Sequence, residues 1–384
     1  MSDTTHEGVR QGGKSILGPV SGGLALIALM ASVLITVPGR AQDLSGAPAL
    51  AVPIDCPVGR AGETECLIHA FVDHDLSSDV ADHRCQARTY NAVQKRGRGH
   101  QGVDMGVLDW TAWTRDIPIL AAADGVVGGR RDGMADARNT KGSLKDEVRQ
   151  RACGNSVRIE HGNGWHTQYC HMKRGSVRVA AGEDVKRGQV IGMMGSSGMS
   201  SYPHLHFQVM TRKGGELLPV DPYSGTFNTR ACGERQRPLW TDEAAKALPY
   251  AAADILKLGF TTKRPDFTDL ALEDRAMSVI DISGRAPVYA FVLHSGVPRG
   301  GAVRLKVTAP DDGRVVLSGT RAVESVSLRG WAGAALTGAR RFRALSDRQG
   351  RWPEGVFTLT ASLVDADGND LFSRKATVRL TRAQ

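Results

Sequence analysis

In the run "VRVAAGEDVKRGQVIGMMGSSG" (177–198), valine or isoleucine recurs between glycines at 182, 188, 192 and 195. Glycine at that spacing implies short strands joined by tight corners, so this stretch is expected in a compact, highly turned sheet. The segments before it have the same character. "ILAAADGVVGG" (119–129) breaks at Asp124-Gly125, a turn signal. "NSVRIEHGNGWHTQYCH" (155–171) places alternating segments on either side of Gly162-Asn163-Gly164, the pattern of a hairpin. Between them, "RRDGMADARNTKGSLKDEVRQRA" (130–152) is polar and slightly basic and is expected as a long surface loop.

A chain of 384 residues can bury a sizeable core and is expected to hold two folded domains plus extensions. The reading is mainly β: residues 42–84 as a lead-in, 85–230 as the first domain, and 231–258 as a linker with a short helix capped by Thr241. Residues 259–384 are expected to form a β-sandwich of Ig-like type. There Val303, Leu305 and Val307 alternate with Arg304, Lys306 and Thr308 before the turn "PDDG", and "EGVFTLTASLVDADGNDLF" repeats the strand-turn-strand pattern. The only histidine of this region, His294, is read as structural or merely exposed.

The N-terminus sets the compartment. Arg10 and Lys14 precede an uncharged stretch whose most apolar part runs from Leu24 to Val37, with small residues at Gly39 and Ala41. Residues 1–41 are therefore expected as a secretory signal cleaved before Gln42, with an uncleaved membrane anchor as the alternative. Either one exports everything that follows, to the periplasm or the medium, or to the outer face of the inner membrane. All six cysteines lie in the exported part, where disulfides are permitted. Sequence alone cannot fix their pairing. Local geometry favours Cys56 with Cys66 and Cys153 with Cys170, leaving Cys85 with Cys232. The net charge of +9 favours an acidic partner. Nucleic acid is excluded by the lack of a supporting motif and by export.

The chemistry concentrates in three segments of the first domain: "GHQGVDMGV" (99–107), "TQYCHM" (167–172) and "PHLHF" (203–207). On a strand, His204 and His206 share one face while Leu205, Phe207 and Val209 line the other. Together the segments supply His100, Asp104, His171, His204 and His206. Two imidazoles and a carboxylate suffice to hold a catalytic zinc ion with one position open for water. The two remaining histidines can then move protons and stabilise an oxyanion.

In order and spacing, "HQGVD", "YCHM" and "PHLHF" resemble the lysostaphin/LytM-type peptidoglycan zinc metalloendopeptidases, over roughly residues 85–223. The glycine-valine framework before the last motif is similar too. The resemblance implies that His100, Asp104 and His206 bind one Zn2+ ion and that His171 and His204 are the catalytic pair. It also implies a twisted antiparallel sheet with a groove above it, the 130–152 segment forming one wall. Gly102 would let the backbone turn so that His100 and Asp104 converge. The implied substrate is the stem-peptide crosslink of bacterial peptidoglycan. The competing function is a non-catalytic wall-binding or amidase-activating scaffold of the same fold, with the C-terminal sandwich as a site for a protein partner.

The other histidines carry plainer readings. His161 and His166 flank the hairpin turn and are expected at the surface or behind the ligands, and Asp109 lacks the register of Asp104. Lys95, Arg96 and Arg98 are read as solvated, or as contacts for an acidic stem peptide. Family prodomains often add a blocking zinc ligand, a part open here to His69, His74 or Asn91.

Overall fold

The computed structural model describes residues 44–382, leaving out 76, 78, 91–98, 139–147, 149, 273, 285, 311, 326 and 327. The expected signal or anchor, Asn91 and the Lys95, Arg96 and Arg98 run lie outside the described residues. Among the described residues no helix is long and apolar enough to cross a membrane.

In chain order the first domain contains β1 (Val58–Gly59), β2 (Cys66–Ala70), β3 (Val103–Val107), β4 (Pro118–Leu120), β5 (Gly125–Arg131) and β6 (Asn155–Glu160). β7 (Trp165–Met172), β8 (Asp184–Val185), β9 (Val190–Met193), β10 (His204–Lys213) and β11 (Glu216–Val220) follow. The main sheet runs β1-β2-β3-β10-β7-β6-β5-β8, with β11 also on β10, while β4 and β9 form a separate ribbon. Alternation fixes its two faces. Leu205, Phe207 and Val209 of β10 enter the core together with Val103, Met105 and Val107 of β3 and Trp165 and Tyr169 of β7. His204, His206 and Asp104 are left on the other face. The Gly162-Asn163-Gly164 hairpin joins β6 to β7, and its backbone there is left-handed at all three residues.

The 42–84 segment is more than a lead-in: it supplies β2, which pairs with β3 inside the main sheet. Every residue of β2 is buried, so this strand is covered on both faces. The 130–152 segment begins as part of β5 and continues past Asp136, whose carboxylate accepts from the backbone N–H of Ser196 and Arg174. That anchors its described part against the 195–197 turn. The rest of the expected groove wall lies largely outside the described residues.

Thr241 caps α1 (Asp242–Ala247) by accepting from the Ala244 N–H. The next strand, β12 (Asp254–Thr261), starts earlier than the 231–258 linker allowed. α2 (Phe267–Leu272) follows, then β13 (Val279–Asp281), β14 (Tyr289–Ser295), β15 (Ala302–Thr308), β16 (Val315–Ala322), β17 (Gly330–Ala335), β18 (Gly355–Val364) and β19 (Asp370–Thr381). One sheet is β12-β14-β17 and the other β13-β19-β18-β15-β16. Val292 and Ala332 from the first share an apolar cluster with Leu305, Leu359 and Val378 from the second, so the two sheets enclose one core. His294 is buried there, and burial, then Arg321, pushes its imidazole down to about 4.

A third apolar cluster joins the domains: Ala61 and Leu67 pack with Leu256, Leu270, Phe291 and Leu293. Polar contacts surround it. Lys257 pairs with Asp109 at 2.5 Å, both side chains being buried, and the Ala61 N–H donates to Asp254. Arg374 donates to the carbonyls of Ala61 and Ile255. The disulfides are Cys56–Cys66 and Cys153–Cys170, the pairs local geometry favoured, and Cys85–Cys232, the pair left over.

Candidate active site

β3 and β10 lie side by side with His206 opposite Asp104 and His204 opposite Gly106. This register brings the "HxxxD" and "HLH" motifs together. Asp104 Oδ1 lies 2.9 Å from His206 Nδ1 and 3.1 Å from His100 Nε2, and the two ring nitrogens are 3.0 Å apart. Gly102 serves this convergence for a reason other than a turn. A Cβ there would come within 2.6 Å of the Phe207 carbonyl oxygen and 2.8 Å of the His206 ring, so only glycine admits the ring.

The tautomers follow from backbone carbonyls, which can only accept. His100 Nδ1 is 2.7 Å from Phe71 O, His204 Nδ1 is 2.8 Å from Tyr202 O, and His171 Nδ1 is 2.8 Å from Ser197 O. In each ring the proton therefore sits on Nδ1 and the lone pair on Nε2. For His100 that lone pair faces Asp104 and His206. Nitrogen and carboxylate donors crowded about 3 Å apart repel one another unless a cation lies between them, and two imidazoles with one carboxylate form a donor set suited to zinc. The three residues are the cluster among the described residues whose atoms could hold a metal ion.

His171 reaches the same face by an exception to strand alternation. Tyr169 and Met172 point into the core and Cys170 lies opposite His206, so a regular strand would send His171 inward. Its φ of +63° turns it outward. The disulfide of Cys170 to Cys153 and the bond from the His171 N–H to Cys153 O (2.8 Å) hold that conformation. Ser197, which orients the ring, is itself fixed by donating to Met172 O and accepting from the Asn155 N–H. The His171 ring then lies 4.7 Å from that of His204 and 6.0 Å from that of His206.

Electrostatics divide the cluster in two. Burial alone would raise the Asp104 carboxyl, but the imidazoles of His100 and His204, and then the close approach of His206, hold it well below the usual range. Burial lowers His171 well below the ordinary imidazole value, reinforced by His204 and His206. Burial also lowers His204, against the pull of Asp104. At neutral pH both rings are uncharged and able to accept a proton.

The remaining candidates lie elsewhere. His69 contacts Val107 O and Arg329, and His74 contacts Asp221 and Arg230 O, so neither joins the cluster. Asp109 is occupied by Lys257. His161 bonds Asp124 O and Thr167, and His166 is buried where a surface position was one expectation. Sequence reasoning missed Tyr90, whose hydroxyl donates to Asp104 Oδ2 at 3.1 Å and whose ring stacks on His100 at 4.3 Å. It also missed Tyr202. Neither belongs to a metal or nucleophile motif, so no spacing signal pointed to them.

Residues 98–222 match peptidase family M23. This segment is an M23 peptidase domain. The M23 domain contains all five residues of the cluster. Similar relatives include the peptidoglycan DD-endopeptidase ShyA of Vibrio cholerae, 32% identical over 125 residues, covering 33% of this chain and 23% of the relative. The DD-carboxypeptidase/endopeptidase Mpg of Neisseria meningitidis is 32% identical over 152 residues, covering 39% of this chain and 28% of the relative. The chain thus spans about a quarter of the length of these curated relatives. Among solved structures, a zinc-containing peptidase from Vibrio cholerae is 27% identical, with 37% of this chain and 33% of that chain covered at a TM-score of 0.25.

Proposed function

We propose that the chain is an exported zinc-dependent endopeptidase that hydrolyses peptide crosslinks of bacterial peptidoglycan. The observation that carries this reading is the meeting of His100 Nε2, Asp104 Oδ1 and His206 Nδ1 at about 3 Å, with two neutral imidazoles alongside, inside an M23 domain. The endopeptidase names of the relatives supply the substrate class. The three disulfides and the basic balance suit an extracytoplasmic, carboxylate-rich wall.

In this reading His100, Asp104 and His206 hold the zinc ion. Bound there, zinc would acidify an attacking water and polarise the scissile carbonyl. Tyr90 orients the carboxylate by donating to its outer oxygen, and Phe71 O locks the His100 tautomer. His171 and His204 keep their protons on Nδ1 and turn Nε2 lone pairs to the reacting group. One of them takes a proton from the nucleophile and returns it to the leaving amine. The other, once protonated, stabilises the oxyanion. A crosslink involving D-amino acids is the preferred substrate over a glycine bridge, since the expected signal and the disulfides suit a periplasmic protein.

The test is digestion of purified sacculi by the full chain with and without a chelator. Soluble muropeptides should appear, stop appearing with chelator and return on adding zinc. Undiminished release in chelator would sink the metal mechanism, and no release in any condition would favour the scaffold function.

A further inference from the structure

Tyr202 stands between His69 and His204, its ring 4.5 Å from the first and 4.6 Å from the second. Its carbonyl also accepts the Nδ1 proton of His204, so the orientation of His204 depends on Tyr202 through both ring and backbone. The Tyr202 loop is held from one side by Trp110, whose indole donates to Ser201 O at 3.0 Å. From the other side it is held by Arg329, which immediately precedes β17 of the C-terminal sheets and lies far outside the matched 98–222 span.

Arg329 is buried, with its guanidinium 4.1 Å from the Tyr202 ring centroid. Its Nη2 donates to His69 Nδ1 at 3.0 Å and to Leu108 O at 3.1 Å. His69 can accept there because its Nε2 faces Val107 O at 3.0 Å and so carries the proton. A guanidinium taken out of water is costly unless its surroundings compensate, so a buried arginine in this position resists displacement and fixes the groups it touches. β2 explains how a residue so distant in sequence arrives. Its Leu67 packs against the C-terminal sheets, and His69, at the irregularity in the pairing just after it, reaches Arg329.

We infer that Arg329 is a positioning residue of the active site: through Tyr202 it sets the ring of His204, making the C-terminal sheets part of the catalytic assembly and not a detachable module. This rests on the hydrolase reading above for the role of His204, though not for its geometry.

The test compares full-length, zinc-loaded Arg329→Met and Arg329→Lys with Arg374→Met, which deletes an interdomain contact away from the site. Arg329→Met should lower kcat on sacculi about 10- to 100-fold with KM nearly unchanged, the scale of a small misplacement of a catalytic group. Arg329→Lys should recover part of that loss. Arg374→Met should lower the thermal midpoint and leave kcat intact. The imidazole NMR signal of the His204 Nδ1 proton gives a readout independent of turnover: it should shift or exchange faster in Arg329→Met and stay in place in Arg374→Met. An unchanged kcat and signal in Arg329→Met would overturn the inference, as would equal kcat losses in both methionine variants. Should Arg329→Met not fold, Arg329→Lys decides by the same two readouts. A wild type without activity would count against the hydrolase reading alone, since the His204 signal still judges Arg329.

Discussion

At His171 one backbone dihedral decides whether a second imidazole stands beside His204 on the face of the cluster. The residue type and its place after Tyr169-Cys170 were readable, but alternation predicts the wrong face, and a φ of +63° in a non-glycine residue leaves no trace in composition. The meeting of His100, Asp104 and His206 was legible through the resemblance carried by the three motifs, and the β3–β10 register then sets His206 beside Asp104. Tyr90 and Arg329 were not legible, because their contacts with Asp104 and His69 exist only in the tertiary structure. If His171 moves protons and binds no metal, His171→Ala should lower kcat by about 10²- to 10⁴-fold while bound zinc stays at the wild-type level. Turnover on sacculi and metal analysis of the same preparation check this. Loss of zinc would move His171 into the ligand set.

Among the elements, strands with one greasy face were readable: β10 and β15 follow their alternation. β2 was not, because its "CLIHA" is buried on both faces and the surface covering Leu67 comes from residues near 256–293. No local pattern announces a partner that distant. The link between β7 and the turn before β6 is a disulfide, and it does two jobs. Replacing Cys153 and Cys170 by serine should destabilise the chain by about 3 kcal/mol, the scale for a loop of this size. It should also reduce kcat, because the left-handed turn at His171 leans on Cys153 through both the disulfide and the His171 N–H. Urea unfolding and turnover measured together test this, and a loss of stability with kcat unchanged would show that the backbone bond alone holds His171.

For the whole molecule, the sequence divides into two domains with a linker, whereas residues 42–384 form one compact unit joined by an apolar seam and buried polar contacts. The Lys257–Asp109 pair tests how firmly. Burial would raise Asp109, but Lys257 and Thr111 hold it below the ordinary carboxylate value. Asp109 therefore adds stability above its unfolded value, and that stability fades as the pH falls through the folded one. Lys257→Met strands the carboxylate and should cost about 3–5 kcal/mol near neutral pH. In that variant the folded Asp109 titrates higher, so the gap to wild type should narrow on acidification towards about pH 4. Denaturation midpoints across pH check the sign; a gap that widens in acid would mean the pair does not control Asp109.

If the reading of the site holds, His100, Asp104 and His206 together grip one divalent ion. Metal analysis of the purified wild type beside His206→Ala tests it most directly. One zinc per wild-type chain and close to none in the variant are expected, with the fold retained by circular dichroism. Equal zinc in both proteins, or none in a folded wild type given zinc, would contradict it.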